Sequence, residues 1–149
     1  MLEGKRVVSV DSNSVRFYDA TTGSSLTKYD MSPQWLSGSI CVDRLAENSF
    51  FVMIDRNIER FEYVNGEWKQ EIIFEQPGSL VDFIDMDRLS GLIYFIINPA
   101  FGKFKAFVID RDGKLILKKK LPHGSSGLCL DRFTGRLFVA HDTFIYVYE

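Results

Sequence analysis

The sequence predicts an all-β chain in which one four-stranded antiparallel unit is repeated, and three observations predict it. The dipeptide Asp-Arg recurs with a spacing of 44 positions at Asp43-Arg44, Asp87-Arg88 and Asp131-Arg132. A short apolar stretch precedes each pair: Ile40-Cys41-Val42, Phe83-Ile84-Asp85-Met86 and Leu128-Cys129-Leu130. A second apolar run follows after a few turn residues, at 50–54, 92–97 and 137–140. Self-similarity at a fixed period marks a repeat architecture, and runs this short between turn residues are strands.

Lettering the strands of one copy A to D, these two runs are A and B. The first copy opens on a B strand, Val7-Val8-Ser9-Val10-Asp11, placed 44 positions ahead of Phe51-Val52-Met53-Ile54-Asp55. C strands follow at 15–19, 58–63, 104–110 and 144–148. Gly23, Gly66 and Gly113 then mark tight turns, with Asn65-Gly66 and Asp112-Gly113 supplying the positive φ that a hairpin needs. D strands leave those turns at 25–30, 67–74 and 114–121. Alternation in Ile58-Glu59-Arg60-Phe61-Glu62-Tyr63 suits an outer strand with one wet face, whereas 92–97 is apolar throughout, as a strand buried on both faces should be.

A period of about 44 residues carrying four short antiparallel strands is the signature of a β-propeller blade. The chain reads as a single propeller-type domain over 1–149, with blades near 5–30, 39–74, 80–121 and 126–149. The strands run B-C-D, A-B-C-D, A-B-C-D and A-B-C, about three and a half blades, which is a partial propeller. Resemblance adds to this. Val15-Arg16-Phe17-Tyr18-Asp19 followed by Thr21-Thr22-Gly23 resembles the end of a WD40 blade, with Tyr18-Asp19 where that family has Trp-Asp. Gly127-Leu128-Cys129-Leu130-Asp131 through Gly135-Arg136-Leu137-Phe138-Val139 resembles the YWTD or NHL class of repeat. The combined resemblance is to the propeller superfamily and identifies no subfamily, since no blade has the full Gly-His to Trp-Asp pattern.

Composition narrows the partners. With 46% hydrophobic and 26% charged residues and a net charge of -2, the chain has the make-up of a globular domain and no basic surplus for nucleic acid. Lys118-Lys119-Lys120 reads as a solvated strand edge. No apolar run is long enough to span a bilayer, and residues 1–6 lack a signal-peptide core, so the expectation is an intracellular, cytoplasmic protein without membrane contact. Cys41 and Cys129 read as small buried hydrophobes at equivalent positions two blades apart. Sheets stack about 10 Å apart, beyond the roughly 7 Å that a disulfide spans.

Closed propellers have four to eight blades. Here the terminal strands do not combine into one four-stranded blade, and Phe144-Ile145-Tyr146-Val147-Tyr148 forms a flat, aromatic, uncharged edge that calls for a cover. Self-association in a two-fold dimer, or a different protein that completes the ring, supplies one. The other readings are a piece of a larger propeller and a small four-bladed ring.

Propeller geometry puts the D-to-A and B-to-C loops on one face. That face carries Trp35, Arg56, Phe101, Lys103, His123 and His141, residue types that anchor interfaces or grip polar ligands. With Phe144, Tyr146 and Tyr148 of the edge, these are the candidate partner-binding residues. The repeated Asp-Arg pairs read as scaffold, Asp capping the A-to-B turn and Arg tying neighbouring blades. Asp82, Asp85 and Asp87 are the densest carboxylate group, but no glycine-spaced calcium loop accompanies them, and no zinc-spaced Cys/His cluster, phosphate loop or nucleophile elbow occurs. The leading expectation is a non-catalytic protein interaction scaffold with no metal or cofactor. The alternative is an enzyme or ligand-binding propeller, lactonase-like or quinoprotein-like, whose polar channel site assembles on ring closure around Asp82, Asp85, His123 and His141. A third is a repeat fragment without an independent role.

Overall fold

The computed structural model describes residues 6–10, 14–30, 36–43, 45–46, 48–54, 56–75, 79–99, 104–122, 125–131, 133–141 and 143–148. These hold fourteen strands in four antiparallel sheets, each sheet built from strands consecutive in the chain. The first sheet contains β1 (Arg6–Val10), β2 (Ser14–Asp19) and β3 (Ser25–Asp30). The second contains β4 (Leu36–Val42), β5 (Ser49–Ile54), β6 (Asn57–Val64) and β7 (Glu67–Glu75). The third contains β8 (Ser79–Met86), β9 (Ile93–Pro99), β10 (Lys105–Ile109) and β11 (Leu115–Lys120). The fourth contains β12 (Ser125–Leu130), β13 (Leu137–His141) and β14 (Phe144–Tyr148). The opening strands of the last three sheets neighbour one another, with β8 beside β4 and also beside β12, so the later strands fan outward from them.

The core lies between sheets, because successive side chains of a strand point to opposite faces. On β5, Phe50, Val52 and Ile54 pack against Val15 and Phe17 of the first sheet, while Phe51 and Met53 pack against the third. On β9, Ile93, Phe95 and Ile97 face the second sheet and Ile96 faces Leu130, Leu137 and Val139 of the fourth. The run at 92–97 is thus buried on both faces, as its sequence predicts. Each such side chain contributes roughly 1.5–3 kcal/mol of transfer free energy. Rings complete the packing: Phe50 stacks on Phe61, Phe95 on Phe107 and Phe17 on Trp68, and Phe74 meets Phe95 and Phe107 edge-on.

Three expectations are corrected. The first B strand has the opposite side-chain phase to the one that a 44-residue offset gives it. Val8 pairs with Phe17 and faces the second sheet, taking the role of Phe51 and leaving Val7 half exposed. One residue of offset reverses every side chain of a strand, so the slip exchanges its faces. Secondly, β6 has no wet face along its first half. Ile58 enters the core shared with the third sheet, Phe61 the core shared with the first, and Glu59 is buried with its carboxylate accepting a hydrogen bond from the Gln70 side-chain amide. Thirdly, Cys41 is buried but Cys129 is exposed, because the fourth sheet has a sheet on one side alone among the described residues.

Turn chemistry positions the sheets. Asn65 and Gly66 have φ of 53° and 90°, the mirror-image turn that an Asn-Gly hairpin favours. Gly113 has φ 83° and stands where a Cβ would lie 1.6 Å from the Ile73 carbonyl oxygen, so the β10–β11 turn rests on the backbone of β7. Gly113→Ala is therefore expected to cost at least about 2 kcal/mol in denaturant unfolding. Gly23→Ala, whose methyl meets open space, should cost about 1 kcal/mol.

Candidate functional site

Two constellations stand out among the described residues, one holding the sheets together and one on the last sheet. The first begins with the repeated aspartates. Asp43 accepts a hydrogen bond from the Leu45 amide, Asp87 from the amides of Leu89 and Ser90, and Asp131 from the Phe133 amide. All three therefore cap the turn after the opening strand of their sheet, as expected. Among the described residues, arginines outside the repeated pairs tie the second and third sheets together, Arg60 to Asp112 and Arg111 to Asp43. Arg111, in the β10–β11 turn, places Nη2 2.6 Å from Oδ2 of Asp43, whose side chain is fully buried. Arg88 is exposed, and Arg44 and Arg132 lie outside the described residues. Asp55-Arg56 and Asp110-Arg111 are also Asp-Arg pairs, but both fall outside the 44-residue register and so escape the repeat argument.

The inner strands carry a second set of ties. Ser39 Oγ accepts a hydrogen bond from the Ile84 amide at 3.3 Å, and Asp85 Oδ2 accepts one from the Leu130 amide at 3.4 Å, each across 45 residues. Asp85 also accepts from the Met86 amide. It replaces the cysteine of the other copies, and its carboxylate bonds backbone amides of its own and the next sheet. Asp87 is turned to its cap. Asp82 lies on β8 with its side chain outside the described ones.

The second constellation gathers four predicted partner-binding residues on the face of the fourth sheet that looks toward the third. Strand pairing sets His141 opposite Phe144, Val139 opposite Tyr146 and Leu137 opposite Tyr148. The rings of His141 and Tyr146 meet edge-on at 5.9 Å. Lys119 Nζ sits 4.3 Å from the centroid of Tyr148, a cation–π contact between the sheets. Beside it lies an apolar cleft of about 220 Å³ lined by Tyr94, Val108, Leu117, Leu137 and Tyr148. Its origin is visible by comparison within the chain. Between the second and third sheets Phe74 of β7 fills the outer part of the junction, whereas β11 offers Leu117 and Lys119, and no described strand lies beyond β14. Burial raises the pKa of Tyr94 and of Tyr148, with Asp87 adding to the first and Tyr146 to the second. Arg56 is exposed in the β5–β6 turn, apart from this group. Trp35, Phe101, Lys103 and His123 lie outside the described residues.

Similarity of structure bears on the fold directly. The chain superposes on the Cps50 (Swd1) β-propeller domain of Myceliophteria thermophila with a TM-score of 0.75 at 13% identity, covering 95% of this chain and 47% of that one. The chain has a β-propeller fold. Its four sheets are blades of a partial propeller. It is also similar to XC5397, a gluconolactonase from Xanthomonas campestris (TM-score 0.67, 20% identity, 93% of this chain and 44% of that one). A nidogen/laminin complex gives a TM-score of 0.62 at 20% identity, over 86% of this chain and 48% of that one. The chain thus spans a little under half the length of these structures. No family model and no curated protein matches the sequence.

Two outcomes follow from the capping and tying residues. Arg111→Met should destabilise the fold by about 3 kcal/mol, because Asp43 is left buried without its counter-ion. Adding Asp43→Asn should restore part of that loss, as read by thermal unfolding of the two variants beside the wild-type chain. The Ser90 hydroxyl holds the Asp87 carboxyl below its ordinary pKa, and the Thr134 hydroxyl does the same for Asp131. A lowered folded pKa contributes stability that is present above the unfolded value and is lost as pH falls through the folded one. Ser90→Ala should therefore move the midpoint of acid unfolding to higher pH, followed by tryptophan fluorescence.

Proposed function

We propose that this chain is a non-catalytic protein-binding scaffold that binds its partner at the β14 edge of its fourth blade. The observation that carries the reading is the state of β14. Phe144, Ile145 and Val147 are 65%, 68% and 51% exposed and Tyr146 is 38% exposed, so apolar side chains stand in solvent on both faces of one strand. That strand also presents a free sheet edge among the described residues. A flat, uncharged apolar edge of this kind is a template for pairing, and natural sheets normally blunt or cover it. β11 is such a managed edge. It too exposes Leu115, Ile116 and Leu117, but it carries Lys118, Lys119 and Lys120, which keep neighbouring strands away. β14 has no charged residue. Similarity to a gluconolactonase at 20% identity is a similarity of fold and lends this chain no activity.

Photo-crosslinking in the cell of origin tests the scaffold. A photoreactive residue at position 144 should give protein adducts of discrete mass, and one at Leu26, exposed on the first blade, should not. Equal labelling at both positions, or none at 144, would reject the reading.

A further inference from the structure

We propose that the cleft between the third and fourth blades binds a small aromatic carboxylate, with its ring held between the blades and its carboxylate on Lys119. The site arises from two departures from the packing that closes the neighbouring junction.

Strand pairing matches the two junctions position by position. Across the second blade, on the face turned to the third, Met53 stands opposite Ile58 and Ile58 opposite Phe74. Across the third blade, on the face turned to the fourth, the same row reads Ile96, Ala106 and Lys119. An alanine and a lysine thus occupy the places of an isoleucine and a phenylalanine. The next row repeats the contrast, with Phe51, Arg60 and Glu71 in the second blade against Tyr94, Val108 and Leu117 in the third. Arg60 is bound to Glu71 and reaches to 3.9 Å from Asp112 of the following blade, so that part of the earlier junction is charged. Val108 and Leu117 leave its counterpart apolar. The volume that Ile58 and Phe74 take up in one junction is, in the other, part of a cleft of about 220 Å³.

The space is a property of the strands that line it. From the third blade, β8, β9 and β10 add side chains to the core that closes the junction with the second, and among the described residues its outermost strand, β11, adds none. The filling of a junction therefore comes from the preceding blade and the inner three strands of the next, all of which are in place around the cleft.

Its lining selects the ligand. An apolar cavity of about 150 Å³ takes benzene, so this one has room for a substituted ring. Tyr94, Val108 and Leu137 supply apolar walls, and Lys119 is the one charged side chain among the described residues of the lining. A single cation placed in an otherwise apolar pocket orients an anionic ligand. Asp87 adds to the raised pKa of Tyr94, and the same negative charge disfavours a carboxylate at that ring. The head group belongs at Lys119, whose Nζ lies 4.3 Å from the ring centroid of Tyr148.

The test is calorimetric titration of the purified full chain with para-toluate and with its neutral isostere para-toluamide. The acid should bind saturably at one site per chain and about tenfold more tightly than the amide. Lys119→Gln should abolish that preference. Lys118→Gln removes an ammonium that lies over Phe107 on the opposite face, and should bind as wild type. Ala106→Ile combined with Lys119→Phe rebuilds the row found in the second blade; it should bind neither compound and should unfold at the wild-type temperature or above. The two single lysine variants, at exposed positions, decide the matter even if the double variant is unstable. Absence of saturable binding, equal affinity for acid and amide, equal loss in the two lysine variants, or undiminished binding by a folded double variant would each overturn the proposal.

Discussion

Everything in this structure depends on strands that bury both of their faces. A β-strand with period two and water on one side needs half its side chains apolar; β5 and β9 need nearly all of theirs, because each serves two cores at once. No sheet here has a core of its own. Phe51 and Phe50 are neighbours in sequence, yet one helps to fix the third blade and the other the first. The backbone ladders define each blade, and the apolar contacts between blades decide how they stack.

Polar groups set the spacing and tilt of that stack. The Asp43 carboxylate caps its own turn with one oxygen and receives Arg111 of the next blade with the other, so a single buried charge is satisfied locally and across the junction. The Gly113 turn rests on Ile73 at a distance that admits no side chain. Ser39 and Asp85 repeat the principle on the inner strands, where a side-chain oxygen of one blade meets an amide of the following one. Arginine at one rim, a missing methyl at the outer edge and hydroxyl or carboxylate near the axis hold adjacent blades at three levels.

Much of this was legible before any coordinates. The 44-residue spacing of Asp43, Asp87 and Asp131, the glycines at 23, 66 and 113 and the fully apolar run at 92–97 were enough to place the strands and their grouping into sheets, because turn chemistry and hydrophobic period are local properties. What escaped was non-local. Val8 differs from Val7 in no respect that sequence displays, and pairing with Phe17 alone reveals which of them turns inward. Glu59 reads as a solvated residue until Gln70 on the next strand is seen to bond it. Arg111 stands off the period and acquires its role from a partner 68 positions away. The clustering of His141, Phe144, Tyr146 and Tyr148 on one face follows from alternation across β13 and β14, whereas the cleft beside Tyr148 exists because of what β11 does not supply.

The stacking of blades through three separate junctions gives the molecule the mechanics of a short linear array. Removing an end blade breaks one junction; opening either central blade breaks two. Cooperativity in such a system travels between nearest neighbours, in the manner of a one-dimensional lattice. The second and third blades, whose shared cluster contains Phe51, Met53, Phe95 and Phe107, are the natural place for order to nucleate and the last place for it to be lost. Among the described residues the first and fourth blades each share one junction, so a ligand or neighbouring element that adds a second junction to either would be felt as slower opening along the array.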